Sequence, residues 1–150
     1  MELVKAYGTI VYDPDRGKLK EDKAKNTIII EIEDGEDLAA YYRTLFEKEY
    51  FISLLKPNYK IHMTITKVHE TNGMPWGYLD KKRILIDRTQ ELFWNKEYLW
   101  LNAFSEEWKD IRSYYGLPEY FNGHITIGKF KEHDKSMIVP HLNNHCFEDD

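Results

Sequence analysis

A single cysteine, Cys146, occurs in 150 residues. No internal disulfide can staple the fold, so a reducing cytoplasm is the expected setting and Cys146 reads as a spare thiol near the C-terminus. Nowhere does an apolar run reach the roughly 18 residues that a membrane span needs. The opening Met1-Glu2-Leu3-Val4-Lys5 does not read as a signal peptide. Positive charge is also outweighed: 21 Lys and Arg stand against 26 Asp and Glu, a net charge of −5. That argues against a protein that coats long DNA or RNA, which normally presents a basic surface. It leaves room for a small nucleotide in a local pocket.

What the chain does have is size for one domain, residues 1–150, and many aromatics: 11 Tyr, 7 Phe and 4 Trp. Most of these belong in the core, since large rings supply much of the buried area of a small domain. Along the chain, residues 3–12 read as a strand, and Asp13-Pro14-Asp15-Arg16-Gly17 as a turn before a Lys-rich loop. Thr27-Ile28-Ile29-Ile30-Glu31-Ile32 reads as a second strand. Asp34 is placed to cap a helix over 36–50, whose Leu38, Tyr41, Tyr42, Leu45 and Phe46 form one apolar stripe. Farther on, Arg83 to Phe93 and Glu97 to Phe104 form a hairpin around Asn95-Lys96. Ser105 caps a helix that buries Trp108, Ile111 and Tyr115 and ends at Gly116 and Pro118.

Two stretches copy one another. Ile61-His62-Met63-Thr64-Ile65-Thr66-Lys67-Val68 and Gly123-His124-Ile125-Thr126-Ile127-Gly128-Lys129-Phe130 share His, Thr, Ile and Lys at four equal offsets. Strand side chains alternate between faces, so His62, Thr64 and Thr66 share one face, and His124, Thr126 and Gly128 the other copy's equivalent. Met63, Ile65, Ile125 and Ile127 point into a core, and Lys67 and Lys129 fall on that same side if the strands stay regular. Each copy offers an imidazole and a hydroxyl about 7 Å apart. A third His-x-Thr, His69-Glu70-Thr71, has a charged centre and leads into Asn72-Gly73, so it reads as loop. The overall plan is strands, helix, His strand, twice: an α+β duplication with lobes at about 1–70 and 80–130, antiparallel sheets with flanking helices, and both His strands at a central cleft.

This arrangement resembles the 2H phosphoesterase family, named for two His-x-Thr/Ser strands. Gly123 departs from it, since an apolar residue often precedes the second His. The compact size, the opening Tyr7-Gly8-Thr9-Ile10-Val11-Tyr12-Asp13-Pro14, and Asp110-Ile111-Arg112 with Gly116-Leu117-Pro118 leading into the second motif resemble phage members that destroy cyclic nucleotide signals of the CBASS defence. The resemblance implies a two-lobed, pseudo-symmetric fold and a phosphodiesterase that opens cyclic di- or trinucleotides. His62 and His124 would serve as acid and base, and Thr64 and Thr126 would hold phosphate oxygens. No cofactor and no metal are expected. The expected partner is a small cyclic oligonucleotide, with neither long nucleic acid nor membrane. The alternatives are a 2H enzyme acting on RNA ends, such as a 2′,3′-cyclic phosphodiesterase, and a non-catalytic nucleotide sponge. Base-stacking candidates are Tyr12 at the end of its strand, Trp100 between Leu99 and Leu101, Tyr120 just before His124, and Trp76 on a loop that could form a lid.

Overall fold

The period-2 runs become strands and the two apolar stripes become helices. The computed structural model describes residues 2–14, 26–67, 76–118 and 123–139. Strands β1 (Leu3–Tyr12) and β2 (Thr27–Ile32) pair, helix α1 (Gly35–Tyr50) follows, and a short β3 (Leu54–Leu55) precedes the first His strand, β4 (His62–Lys67). In the second half β5 (Arg83–Trp94) and β6 (Tyr98–Phe104) pair, α2 (Glu106–Tyr114) follows, and β7 (Gly123–Phe130) is the second His strand. A 3₁₀ helix covers Glu132–Met137.

Local chemistry sets the boundaries. The Asn95 side chain accepts from the backbone N–H groups of Glu97 and Tyr98, which turns the β5–β6 hairpin. Ser105 accepts from the Trp108 N–H and caps α2. Asp34 does not cap α1 with its side chain. It adopts a left-handed conformation at φ 53°, and its main-chain carbonyl accepts from Leu38. This tight entry presses Gly35 onto β4's approach, where a Cβ would lie 2.7 Å from Ile61 Cβ.

The strand order is β3-β7-β4-β2-β1-β5-β6, and β6 pairs in turn with β7. Six antiparallel strands therefore close into a barrel, with β3 and β4 end to end along one side of β7. One face of this sheet carries the core: Ile10, Ile30, Met63, Ile86, Leu101 and Ile125 are fully buried there, with Phe46 of α1 and Trp108 and Ile111 of α2 packed among them. Burying such side chains stabilises the fold by roughly 1.5–3 kcal/mol each. Gly123 has a packing reason. A Cβ there would come within 2.5 Å of Met63 Cε and 3.1 Å of Trp108 Nε1, so the α2 tryptophan fills the space that a side chain at 123 would need.

Both His strands bulge at the same place. Along β4 the partner jumps from Ile29↔Thr64 to Ile28↔Thr66, leaving Ile65 as the extra residue. Along β7 it jumps from Trp100↔Thr126 to Leu99↔Gly128, leaving Ile127 extra. Ile65 and Ile127 are equivalent in the two copies. A buried arginine donates to each bulged carbonyl at short range: Arg112 of α2 to Ile65 O at 2.8 Å, and Arg43 of α1 to Ile127 O at 2.7 Å. The clamp is crossed, for each helix holds the His strand of the other half. Arg112 also donates to Pro118 O and lies 5.2 Å from the Trp108 ring.

The bulges correct the expected alternation. Thr66, paired with the core residue Ile28 and 5 % exposed, lies on the core side and not beside His62 and Thr64. Gly128 likewise faces the core side, where a Cβ would sit 3.4 Å from Arg43 Cγ and Leu54 Cδ1. Lys129, preceding the buried Phe130, comes to the His face. The side chain of Lys67 and the motif His69-Glu70-Thr71 lie outside the described residues.

Removing a clamp leaves a buried carbonyl unsatisfied. Arg43→Met or Arg112→Met is expected to lower unfolding free energy by about 1–3 kcal/mol, whereas Arg83→Met, which breaks an exposed ion pair with Glu33, should cost much less. Urea denaturation of the three variants checks this; equal losses would remove the clamp's special role.

Candidate functional site

The register of the two His strands fixes the site. Met63 pairs with Ile125. One residue to either side, on the opposite face, His62 lies across from Thr126 and Thr64 across from His124. Directly opposed side chains have Cβ atoms about 4.5–5.5 Å apart, and the diagonal His62–His124 pair about 7–8 Å. Each imidazole thus stands beside the other strand's hydroxyl. All four residues are half-buried, so they border solvent without being dissolved in it.

The neighbouring strands extend this into two rows. Glu31 of β2 pairs with His62, and Trp100 of β6 with Thr126, giving Glu31–His62–Thr126–Trp100. The second row is Ile29–Thr64–His124–Asn102. The surroundings of the two histidines differ. His62 Nδ1 lies 2.7 Å from the Lys60 carbonyl. A carbonyl only accepts, so Nδ1 carries the proton and Nε2 is the nitrogen that gains or loses one. Tyr59 packs its ring edge-on against His62 at 5.6 Å and donates its hydroxyl to Glu31 Oε2 at 3.0 Å. His124 lies 5.9 Å from the Trp100 ring, whose indole N–H donates to Asn102 Oδ1 at 3.0 Å. Asn102 in turn is held by Thr89, whose hydroxyl accepts the Asn102 backbone N–H. Behind both strands, Trp108 donates to the Thr64 carbonyl at 3.1 Å.

The structure therefore brings His62, Thr64, His124 and Thr126 together. Trp100 shares their face, but it is only 3 % exposed. Its ring packs beside His124 and has little open surface for a base. Tyr12 and Trp76 come together elsewhere. Tyr12 pairs with the core residue Ile28, so it points away from the His face. Its ring meets Trp76 edge-on at 5.0 Å, Trp76 meets Tyr115 at 6.1 Å, and the Trp76 N–H donates to Asp13 at 2.8 Å. Placing Tyr12 and Trp76 at the His/Thr group is thus corrected: strand parity puts Tyr12 on the α2 side, and its contacts carry Trp76 with it. Tyr120 and Cys146 lie outside the described residues.

Glu31, Tyr59 and Asn102 are participants that motif reading passed over. A signal for two of them was present: each is the lone strongly polar side chain inside an otherwise apolar strand run. Among the described residues, no three His, Cys, Asp or Glu side chains gather as a metal site, and no helix is long and apolar enough to cross a membrane. No family model, curated protein or solved structure matches this chain.

Burial pushes the Tyr12 hydroxyl up from 10.0 to about 12, with the Leu79 backbone opposing and Tyr115, Tyr78 and Asp80 adding to the rise. The unfolded chain then ionises at lower pH than the folded one. Stability is fully retained below about pH 10 and is lost as pH rises towards 12. In Tyr12→Phe that alkaline loss should shrink, as read from melting temperature between pH 9 and 12. An unchanged loss would assign it to other tyrosines.

Proposed function

We propose that the protein is a metal-independent phosphodiesterase that opens cyclic di- or trinucleotides, with His62 and His124 exchanging protons and Thr64 and Thr126 binding the phosphate. The observation that carries this reading is the reciprocal register: each histidine faces the other strand's threonine across one strand pair.

Two hydroxyls on one diagonal and two imidazoles on the other surround a space suited to a tetrahedral phosphodiester. The hydroxyls donate to the non-bridging oxygens, where charge gathers during displacement. The imidazoles then stand on opposite sides of phosphorus, as an in-line reaction requires. The neutral ring takes a proton from the attacking hydroxyl, either water or an adjacent ribose 2′-hydroxyl. The protonated ring gives one to the leaving oxygen. Attack by a 2′-hydroxyl yields a 2′,3′-cyclic phosphate, which water opens as the two rings exchange roles. Histidine suits both parts because its pKa lies near neutrality. At His62, the Lys60 carbonyl fixes the ring so that Nε2 performs the transfer.

The net charge of −5 favours a small nucleotide over a long RNA. Destruction of cyclic nucleotide immune signals, as by a phage against the CBASS defence in a host cytoplasm, fits that substrate class. The test is incubation with cyclic di- and trinucleotides in excess EDTA, read by mass spectrometry. Linear products with a terminal phosphate are expected. His62→Ala and His124→Ala should each lower kcat about 10²–10⁴-fold, and Thr64→Val or Thr126→Val about 10²-fold. Wild-type rates in both histidine variants would end this reading. Cleavage only of 2′,3′-cyclic RNA ends would move the substrate to those ends, and intact ligand bound to the protein would make it a sponge.

A further inference from the structure

Lys129 stands where simple alternation does not put it. Between Thr126 and Lys129 the strand bulges at Ile127, and both Ile127 and Gly128 turn towards the core side. Phe130 is buried in the core at 2 % exposure, so Lys129 falls on the opposite face, the face of His62 and His124. The bulge packs three residues into the length of about two, which puts Lys129 about 7 Å beyond Thr126 along β7. It forms a third row with Tyr98 of β6 and Leu55 of β3. Its ammonium lies 3.5 Å from Asn58 Oδ1, next to Tyr59, the residue that packs on His62. The lysine head is thus drawn to the His62 end of the face, while its half-buried stem lies along the sheet.

A phosphate held among the two histidines and two threonines sits between the first two rows. The third row lies one step outside it, at the distance of a neighbouring group rather than of the reacting one. A compact ammonium at such a place suits a phosphate oxygen. We propose that Lys129 binds a second phosphate of the substrate, the one adjoining the phosphodiester under attack. The site thereby selects oligonucleotides with successive phosphodiesters over 2′,3′-cyclic mononucleotides. This rests on the reading that the His/Thr pairs take a phosphodiester.

The probes are 3′,3′-cyclic di-AMP, which has two phosphates, and adenosine 2′,3′-cyclic monophosphate, which has one. Lys129→Met should raise KM for the dinucleotide about five- to tenfold and leave kcat within about twofold. The mononucleotide should be unaffected, and Lys129→Arg should restore most of the dinucleotide KM. Added salt should raise the wild-type KM more than that of Lys129→Met, since screening weakens an exposed charge contact. Unchanged KM for the dinucleotide overturns the proposal. So does an equal fall in kcat on both probes, which would place Lys129 on the reacting phosphate. Should wild-type protein hydrolyse neither probe, Lys129 is still decided by calorimetry. Weaker dinucleotide binding in Lys129→Met with mononucleotide binding unchanged supports it; equal binding, or none by wild type, overturns it.

Discussion

Two buried arginine–carbonyl contacts hold the arrangement on which everything else depends. A bulge turns one carbonyl out of each His strand's ladder, at Ile65 and at Ile127, and leaves it in need of a donor. The guanidiniums of Arg112 and Arg43 supply one from the opposite helices. A charged donor in a low-dielectric interior makes a strong hydrogen bond, and its loss strands a polar group that water cannot reach. The bulges would be costly without the arginines, and the arginines could not be buried without the bulges. Together they fix where regular alternation stops. They thereby define which side chains of each His strand reach the face of the two histidines.

The same contacts explain an approximate symmetry that breaks in a useful way. The central four residues repeat faithfully because both strands carry the same offsets and the same bulge. Their outer neighbours come from β2 and β6, strands of different sequence. On one side a carboxylate and a phenol, Glu31 and Tyr59, flank His62. On the other an indole and an amide, Trp100 and Asn102, flank His124. Two chemically identical rings thus stand in different electrostatic surroundings.

The sequence made the strands, both helices and the central four residues legible, because each rests on local periodicity. His62 with Thr64, and His124 with Thr126, follow from alternation over three residues, a span shorter than the distance to either bulge. Thr66, Gly128 and Lys129 lie past the bulge, so parity counted from the histidines misassigns all three. Nothing local announces a bulge at a β-branched isoleucine; the arginines that sustain it lie 47 residues away in one case and 84 residues away in the other. Trp100 was legible in its face but not in its burial, which depends on packing beside His124 and on the hydrogen bond to Asn102. Tyr12 follows the parity of Ile10 rather than the cleft edge suggested by its place at a strand end. Closure of the sheet through the β6–β7 pair is likewise a non-local event with no motif of its own.

The clamps cross between the first and second halves of the chain. In a simple repeat, each half would bury its own helix on its own His strand and could stand alone. Here Arg43 of the first half satisfies the second His strand, while Arg112 and Trp108 of the second half satisfy the first. Gly123 is vacant of a side chain because the second-half helix and the first-half Met63 already occupy its space. Neither His strand has its bulged carbonyl satisfied until both halves are present. Assembly of the four residues is therefore coupled to completion of the whole domain, and the register that sets each histidine against the other strand's threonine is secured by the same contacts that join the halves.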